Sequence, residues 1–156
     1  MNEENAPCKP MQALGEATMR LDKVYGGFAK RHGETYLSMW AIDELGHHPE
    51  GLTQKQLATA LYAPKQTANS VAASLEKRGL IYSEVSPNDK RSRIHLLTEQ
   101  GRKLYDLTYV EQDRCEKACI EELGQKRISR MITDMNAVLT CIEQAFAEME
   151  RERTNQ

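Results

Sequence analysis

Aromatic side chains are scarce in this chain: one Trp, two Phe and six Tyr among 156 residues. A core with so few rings is left to Leu, Met, Ala and Ile, which favours packed helices. No apolar run approaches the roughly 20 residues that a membrane span needs. The N-terminus carries Glu3, Glu4 and Pro7 and no apolar core, so it does not read as a secretory signal. The expected location is cytoplasmic, with no membrane partner. The four cysteines, Cys8, Cys115, Cys119 and Cys141, include no CxxC pair, which argues against a zinc ribbon or a thioredoxin-like site. They read as free buried thiols in a reduced compartment. A Gly-rich phosphate loop, a GxSxG elbow and an HExxH helix are all missing. Ser, His and Asp occur, but nothing arranges them, so no enzymatic activity, catalytic residue or cofactor is expected.

What is present is an uneven charge distribution. The net charge is only −2, which by itself argues against a nucleic-acid partner. Between Thr53 and Lys103, however, nine Lys and Arg face four Asp and Glu, while the rest of the chain holds twelve cations against nineteen acids. A basic middle between acidic flanks is an electrostatic footprint that the overall balance conceals.

The periodicity gives the order of elements. Residues 1–10 contain two prolines and no repeat, and read as a flexible tail. Met11, Leu14, Thr18, Leu21, Tyr25 and Phe28 follow a 3-4-3-4-3 spacing, one stripe of a helix that Gly33 ends. Thr35 is placed to cap a second helix carrying Leu37, Trp40, Ala41 and Leu45, broken by the Gly and Pro residues of 46–51. Thr53-Gln54-Lys55-Gln56 matches a capping box at the head of a short helix with Leu57, Ala58 and Leu61 inward. Tyr62-Ala63-Pro64 is a tight connector, and the helix after it runs to about Arg78, with Gly79 as its stop. Two short apolar segments, Leu80 to Val85 and Ile94 to Leu97, flank Ser86-Pro87-Asn88-Asp89-Lys90-Arg91-Ser92-Arg93 and predict a hairpin with a charged tip. Thr98 caps a further helix that fades near Gly124. The last helix, from about Ile128 to Met149, keeps a near-heptad apolar seam, the pattern of a helix that packs on another.

Two short helices joined by a tight turn form a helix-turn-helix, and a hairpin directly after it makes a winged one. Ala68, Val71, Ala72 and Leu75 must face the core, so the opposite face of the second helix presents Lys65, Gln66, Asn69, Ser70, Ala73 and Lys77. Gln66 and Asn69 are suited to pair with adenine in a major groove. Lys65, Ser70 and Lys77 suit phosphate oxygens. The N-terminal end of such a helix meets bases first, which favours Lys65, Gln66, Thr67 and Asn69 over Lys77. Thr53 and Gln54 join them as candidate DNA contacts at the head of the preceding helix, and Ser92 joins them on the wing. The plainer explanation of such a polar helix face is solvation alone; the Arg-rich tip tips the balance to DNA. At that tip Arg91 is the candidate for minor-groove insertion, with Lys90 and Arg93 as phosphate clamps. Asp89 would be repelled by phosphate, and reads as a brace that holds Arg91 or Arg93 extended.

These residues carry a resemblance. Asp89, Arg91 and Ser92, then Leu97, Thr98 and Gly101, are similar to the wing signature of MarR-type (multiple antibiotic resistance) regulators, Asp-x-Arg-Ser-x, a strand, then Leu-Thr-x-x-Gly. Thr53 to Ala58 and Leu75 to Ile81 also resemble that family, and the element order matches from about Met11 to Met149. The resemblance implies a mainly α (α+β) fold: a winged helix-turn-helix with a two-stranded β-wing, and long terminal helices that form a dimerisation domain. Its division of the chain is 11–34 and 99–150 for dimerisation, 35–98 for the DNA-binding lobe, and 151–156 as a tail. It further implies a homodimer that reads a pseudo-palindromic operator on double-stranded DNA, a repressor more often than an activator. It also implies a small effector that lowers DNA affinity from a site between the dimer arms and the lobe.

An effector pocket is expected between the first, second and fifth helices. Tyr25, Tyr36, Met39, Trp40 and Tyr62 would give an apolar site with polar tips, suited to an aromatic or phenolic ligand; ordinary core packing is the rival explanation. Three other readings compete. A thiol-based redox sensor would use Cys8, whose surroundings of Pro7, Lys9 and Pro10 match poorly. A metal sensor would use His32, His47, His48 and Cys115 or Cys119. A winged helix used for protein contact alone is the third, and the basic wing speaks against it.

Overall fold

The computed structural model describes residues 9–87 and 90–154. Its elements run α1 (Lys9–Arg31), α2 (Tyr36–His47), β1 (Leu52–Thr53), α3 (Gln54–Ala60), α4 (Lys65–Lys77), β2 (Ile81–Val85), β3 (Arg93–Leu97), α5 (Glu99–Leu123) and α6 (Gln125–Thr154). Two corrections fall at the ends. Lys9 and Pro10 belong to α1 and not to a tail, because a proline in the first turn forfeits only an N–H that has no helical partner. At the other end α6 continues through 151–154.

Local chemistry sets the boundaries. Thr35 caps α2, its Oγ1 accepting from Ser38 N at 3.1 Å. At α3 the capping box is complete: Thr53 Oγ1 accepts from Gln56 N at 3.2 Å, and Gln56 Oε1 accepts from Thr53 N at 2.8 Å. Such a cap contributes about 1 kcal/mol, a large share for a seven-residue helix. Thr98 Oγ1 receives Gly101 N at 3.1 Å and donates to Gly79 O at 2.6 Å, so one hydroxyl starts α5 and ties it to the end of α4.

The chain forms two units, 1–109 and 110–156. The first holds the core. Ile42 and Leu45 of α2, Leu57 and Leu61 around α3, Ala68 and Leu75 of α4, and Leu80 and Ile81 meet in one buried cluster. This is the apolar set the sequence places inward on α4. The sheet has three antiparallel strands in the order β1-β3-β2, not the two of a simple wing. β2 and β3 pair Ile81 with Leu97 and Val85 with Arg93, and Leu52 and Thr53 add a short third strand opposite His95 and Ile94. Glu34, in the link between α1 and α2, is buried and forms a two-pronged ion pair with Arg78 at the end of α4, one prong Arg78 Nη1 to Glu34 Oε2 at 2.9 Å.

The second unit comprises the end of α5 and all of α6. None of the 30 residues of α6 is buried. Its seam is half-covered at Ile128, Met135, Val138 and Ile142 and exposed at Met131, Ile132, Leu139, Phe146 and Met149. Cys115, Cys119 and Cys141 are free and exposed in this single chain, which corrects the expectation of buried thiols. Cys8 lies outside the described residues. Among the described residues no helix is long and apolar enough to cross a membrane.

Candidate nucleic-acid interface

The helix-turn-helix and the wing enclose an open groove of about 1020 Å³. One wall is the head of α3 and the start of α4, with Thr53, Gln54 and Lys65; the other is the wing, with Arg91, Ser92 and Arg93. Six residues expected at DNA thus share one concavity. Lys55 joins them, and among the described lining residues no carboxylate is present. Low-dielectric walls lined by charge of one sign concentrate the field that attracts an anionic polymer.

The remaining candidates on α4 lie on its outer face. Gln66, Asn69, Ser70 and Lys77 are exposed, and Thr67 is half-buried. Ser70 Oγ donates to Gln66 O at 3.0 Å, so its hydroxyl proton is already engaged within the helix. Lys90 and Arg91 are exposed at the tip. Arg93 Nη2 donates to Ser83 O at 2.7 Å, so this guanidinium braces the wing across its two strands while the rest of its fork faces the groove. Asn88 and the proposed brace Asp89 lie outside the described residues.

His95, on the middle strand, joins the two walls. Its Nε2 lies 2.7 Å from Gln54 Oε1 and its Nδ1 2.9 Å from Ser83 Oγ. With Gln54 Oε1 as acceptor, the neutral tautomer that satisfies both contacts has its proton on Nε2 and leaves Nδ1 to accept from the Ser83 hydroxyl. Burial pushes the His95 pKa below the usual imidazole range; the Glu76 carboxylate opposes this and Arg93 adds to it. Gln54 is therefore a strut between α3 and β3. Sequence patterning did not single out His95; its place inside an apolar strand, opposite a serine, was the available signal.

The expected effector residues divide. Tyr25, Tyr36 and Trp40 form a row, with ring centroids 6.2 Å and 5.5 Å apart, beside a buried Met39. Burial, and then Asp22, raise the Tyr36 phenol above its ordinary pKa. Tyr62 is not with them: it is 91% exposed and stands in the groove beside Lys65 and Arg91, because the turn between α3 and α4 points outward. For the metal reading, no three His, Cys, Asp or Glu side chains among the described residues converge. His47 instead packs edge-on against Tyr105 and Tyr109.

A three-stranded sheet beside a helix-turn-helix, with a basic groove between them, defines a winged helix-turn-helix protein. Residues 32–92 match the model of the MarR family. An HTH-type transcriptional regulator of Staphylococcus aureus strain Mu50, SAV2265, is 27% identical over 107 residues, covering 66% of this chain and 72% of the relative. The fold is similar to that of the crystal structure of the S. aureus MepR–DNA complex, with a TM-score of 0.72, 22% identity, and coverage of 84% and 96% of the two chains. It is similar also to the transcription regulator MarR from Oenococcus oeni PSU-1, with a TM-score of 0.71, 21% identity, and coverage of 83% and 97%.

Proposed function

We propose that this protein is a transcriptional repressor that binds a pseudo-palindromic operator as a homodimer, with α4 in the major groove and the wing tip in the adjoining minor groove. The observation that carries this reading is the groove itself, which faces four cations, Lys55, Lys65, Arg91 and Arg93, from both walls. The MepR structure in complex with DNA supports it by its shared fold. In this arrangement Gln66 and Asn69 read base edges, and Lys65, Lys90 and Arg91 hold phosphates or the minor groove.

The dimer is supported by α6. In this single chain α6 has 30 residues and none buried, so its apolar seam is covered only in part. Its seam, exposed at Met131, Ile132, Leu139, Phe146 and Met149, offers an apolar surface suited to a second copy. An aromatic effector acting beside the Tyr25–Tyr36–Trp40 row would regulate the repressor if it binds one arrangement of the lobes better than the other.

The test is binding to DNA upstream of its own gene or its neighbour, measured across salt concentrations. Specific binding that weakens steeply with salt supports the reading. Absence of binding even at low salt contradicts it.

A further inference from the structure

Three helices of this chain end in the same backbone motif, and one of them breaks its rule. In a Schellman ending, the residue after the cap adopts a left-handed conformation and bonds back to the helix, as does its successor. At α1 these are Gly33 N to Lys30 O at 3.1 Å and Glu34 N to Ala29 O at 3.0 Å, with Gly33 at φ +76°. At α4 they are Gly79 N to Glu76 O at 2.9 Å and Leu80 N to Leu75 O at 3.0 Å, with Gly79 at φ +71°. At α3 they are Tyr62 N to Thr59 O and Ala63 N to Ala58 O, both at 3.1 Å, with Tyr62 at φ +48°. Tyr62 is the one non-glycine among the described residues with positive φ.

A Cβ in this conformation is strained, and glycine is not. Strain at a bulky residue is repaid when the side chain makes good contacts, yet Tyr62 is 91% exposed. Among the described residues its ring and hydroxyl have no hydrogen-bonding or stacking partner. Its surroundings are specific: it lines the basic groove with Lys55, Lys65 and Arg91. Strained residues held in place by an otherwise ordinary motif mark functional positions.

We propose that Tyr62 is a DNA-contacting residue whose phenolic hydroxyl donates a hydrogen bond to a backbone phosphate at the helix-turn-helix turn. The inference rests on the DNA-binding reading above and adds to it a contact on the turn between the two helices. Tyr62 carries no charge, so the contact fixes position and carries no base specificity.

The experiment compares the full-length protein with Tyr62→Phe and Tyr62→Gly, by thermal melting and by titration against operator and unrelated DNA at several salt concentrations. Tyr62→Gly is expected to raise the melting temperature by about 2–4 °C, because glycine relieves the strain. Both variants are expected to bind about tenfold more weakly, the scale of a hydrogen bond to a charged group. The loss should be equal for operator and unrelated DNA, and the slope of affinity against salt should not change, since no cation is removed. Wild-type affinity in Tyr62→Phe, or a lower melting temperature in Tyr62→Gly, overturns the role of Tyr62 and leaves the DNA-binding reading standing. Absence of DNA binding by the wild-type protein overturns both.

Discussion

His95 on the middle strand of the sheet and Gln54 in the first turn of α3 are joined at 2.7 Å, so the wing and the helix-turn-helix share a hydrogen bond at the base of their groove. Burial of the ring couples its protonation to folding. In the unfolded chain His95 titrates near 6.5, and burial lowers this value in the fold. Above about pH 6.5 the ring is neutral in both states and its contribution to stability is complete. As pH falls from there toward the lowered value, the unfolded chain takes up a proton that the fold resists, and stability declines. The melting temperature of the wild type should therefore drop more between about pH 7 and about pH 5 than that of His95→Gln. Parallel pH profiles for the two proteins would contradict this assignment.

Arg78 faces a carboxylate with no access to water. The Glu34 side chain is 1% exposed, whereas that of Arg78 is 41% exposed. Removing the arginine strands the buried charge, so Arg78→Ala should cost about 3 kcal/mol, at the lower end of the range because the pair is open on one side. Replacing both residues by apolar side chains should cost less than the sum of the single changes, and urea unfolding of the four proteins measures that coupling.

Gly101 is required by close packing. A Cβ there would overlap the Leu80 carbonyl oxygen, which also accepts from Thr98 N at 3.0 Å. Gly101→Ala must push α5 away from the start of β2, with a loss of about 1–3 kcal/mol read from denaturant midpoints. Gly46→Ala meets the ring of Tyr105 as far as its Cγ, and that ring is packed against His47, Tyr109 and Arg102, so this substitution should cost stability as well.

This contact gives a physical reason for part of the wing signature. In Leu97-Thr98-x-x-Gly101 the threonine caps α5 and the glycine admits the Leu80 carbonyl. Much of the lobe was legible for similar reasons. Thr35, Thr53, Pro64 and Gly79 are boundary signals with local causes, and each stands where the sequence places it. The inward face of α4 follows from a period of 3.6. What escaped reading depends on distant partners. β1 is two residues long, too short for a strand pattern, and exists because His95 and Ile94 present a free edge to it. Glu34 reads as an ordinary surface acid until Arg78, 44 positions on, closes over it. Tyr62 reads as one more aromatic for a pocket, because an alternation of rings does not reveal which way a turn projects.

The two kinds of DNA contact should separate by mutation. Arg91→Ala removes a cation and should weaken binding to all sequences and reduce the salt slope by about 1 for each charge lost. Asn69→Ala should leave that slope unchanged and relax preference at one base pair in each half-site, costing about 1–3 kcal/mol. Titrations of both variants against operator and substituted operators make the distinction.

The most direct measurement of the central claim is a hydroxyl-radical footprint of the protein on DNA upstream of its own gene, with the stoichiometry of the complex determined in parallel. The account predicts two protected segments of the sugar–phosphate backbone one helical turn apart, ~34–36 Å, flanked by minor-groove protection, with two protein chains bound. A single protected segment bound by one chain, or uniform protection without defined half-sites, would contradict it.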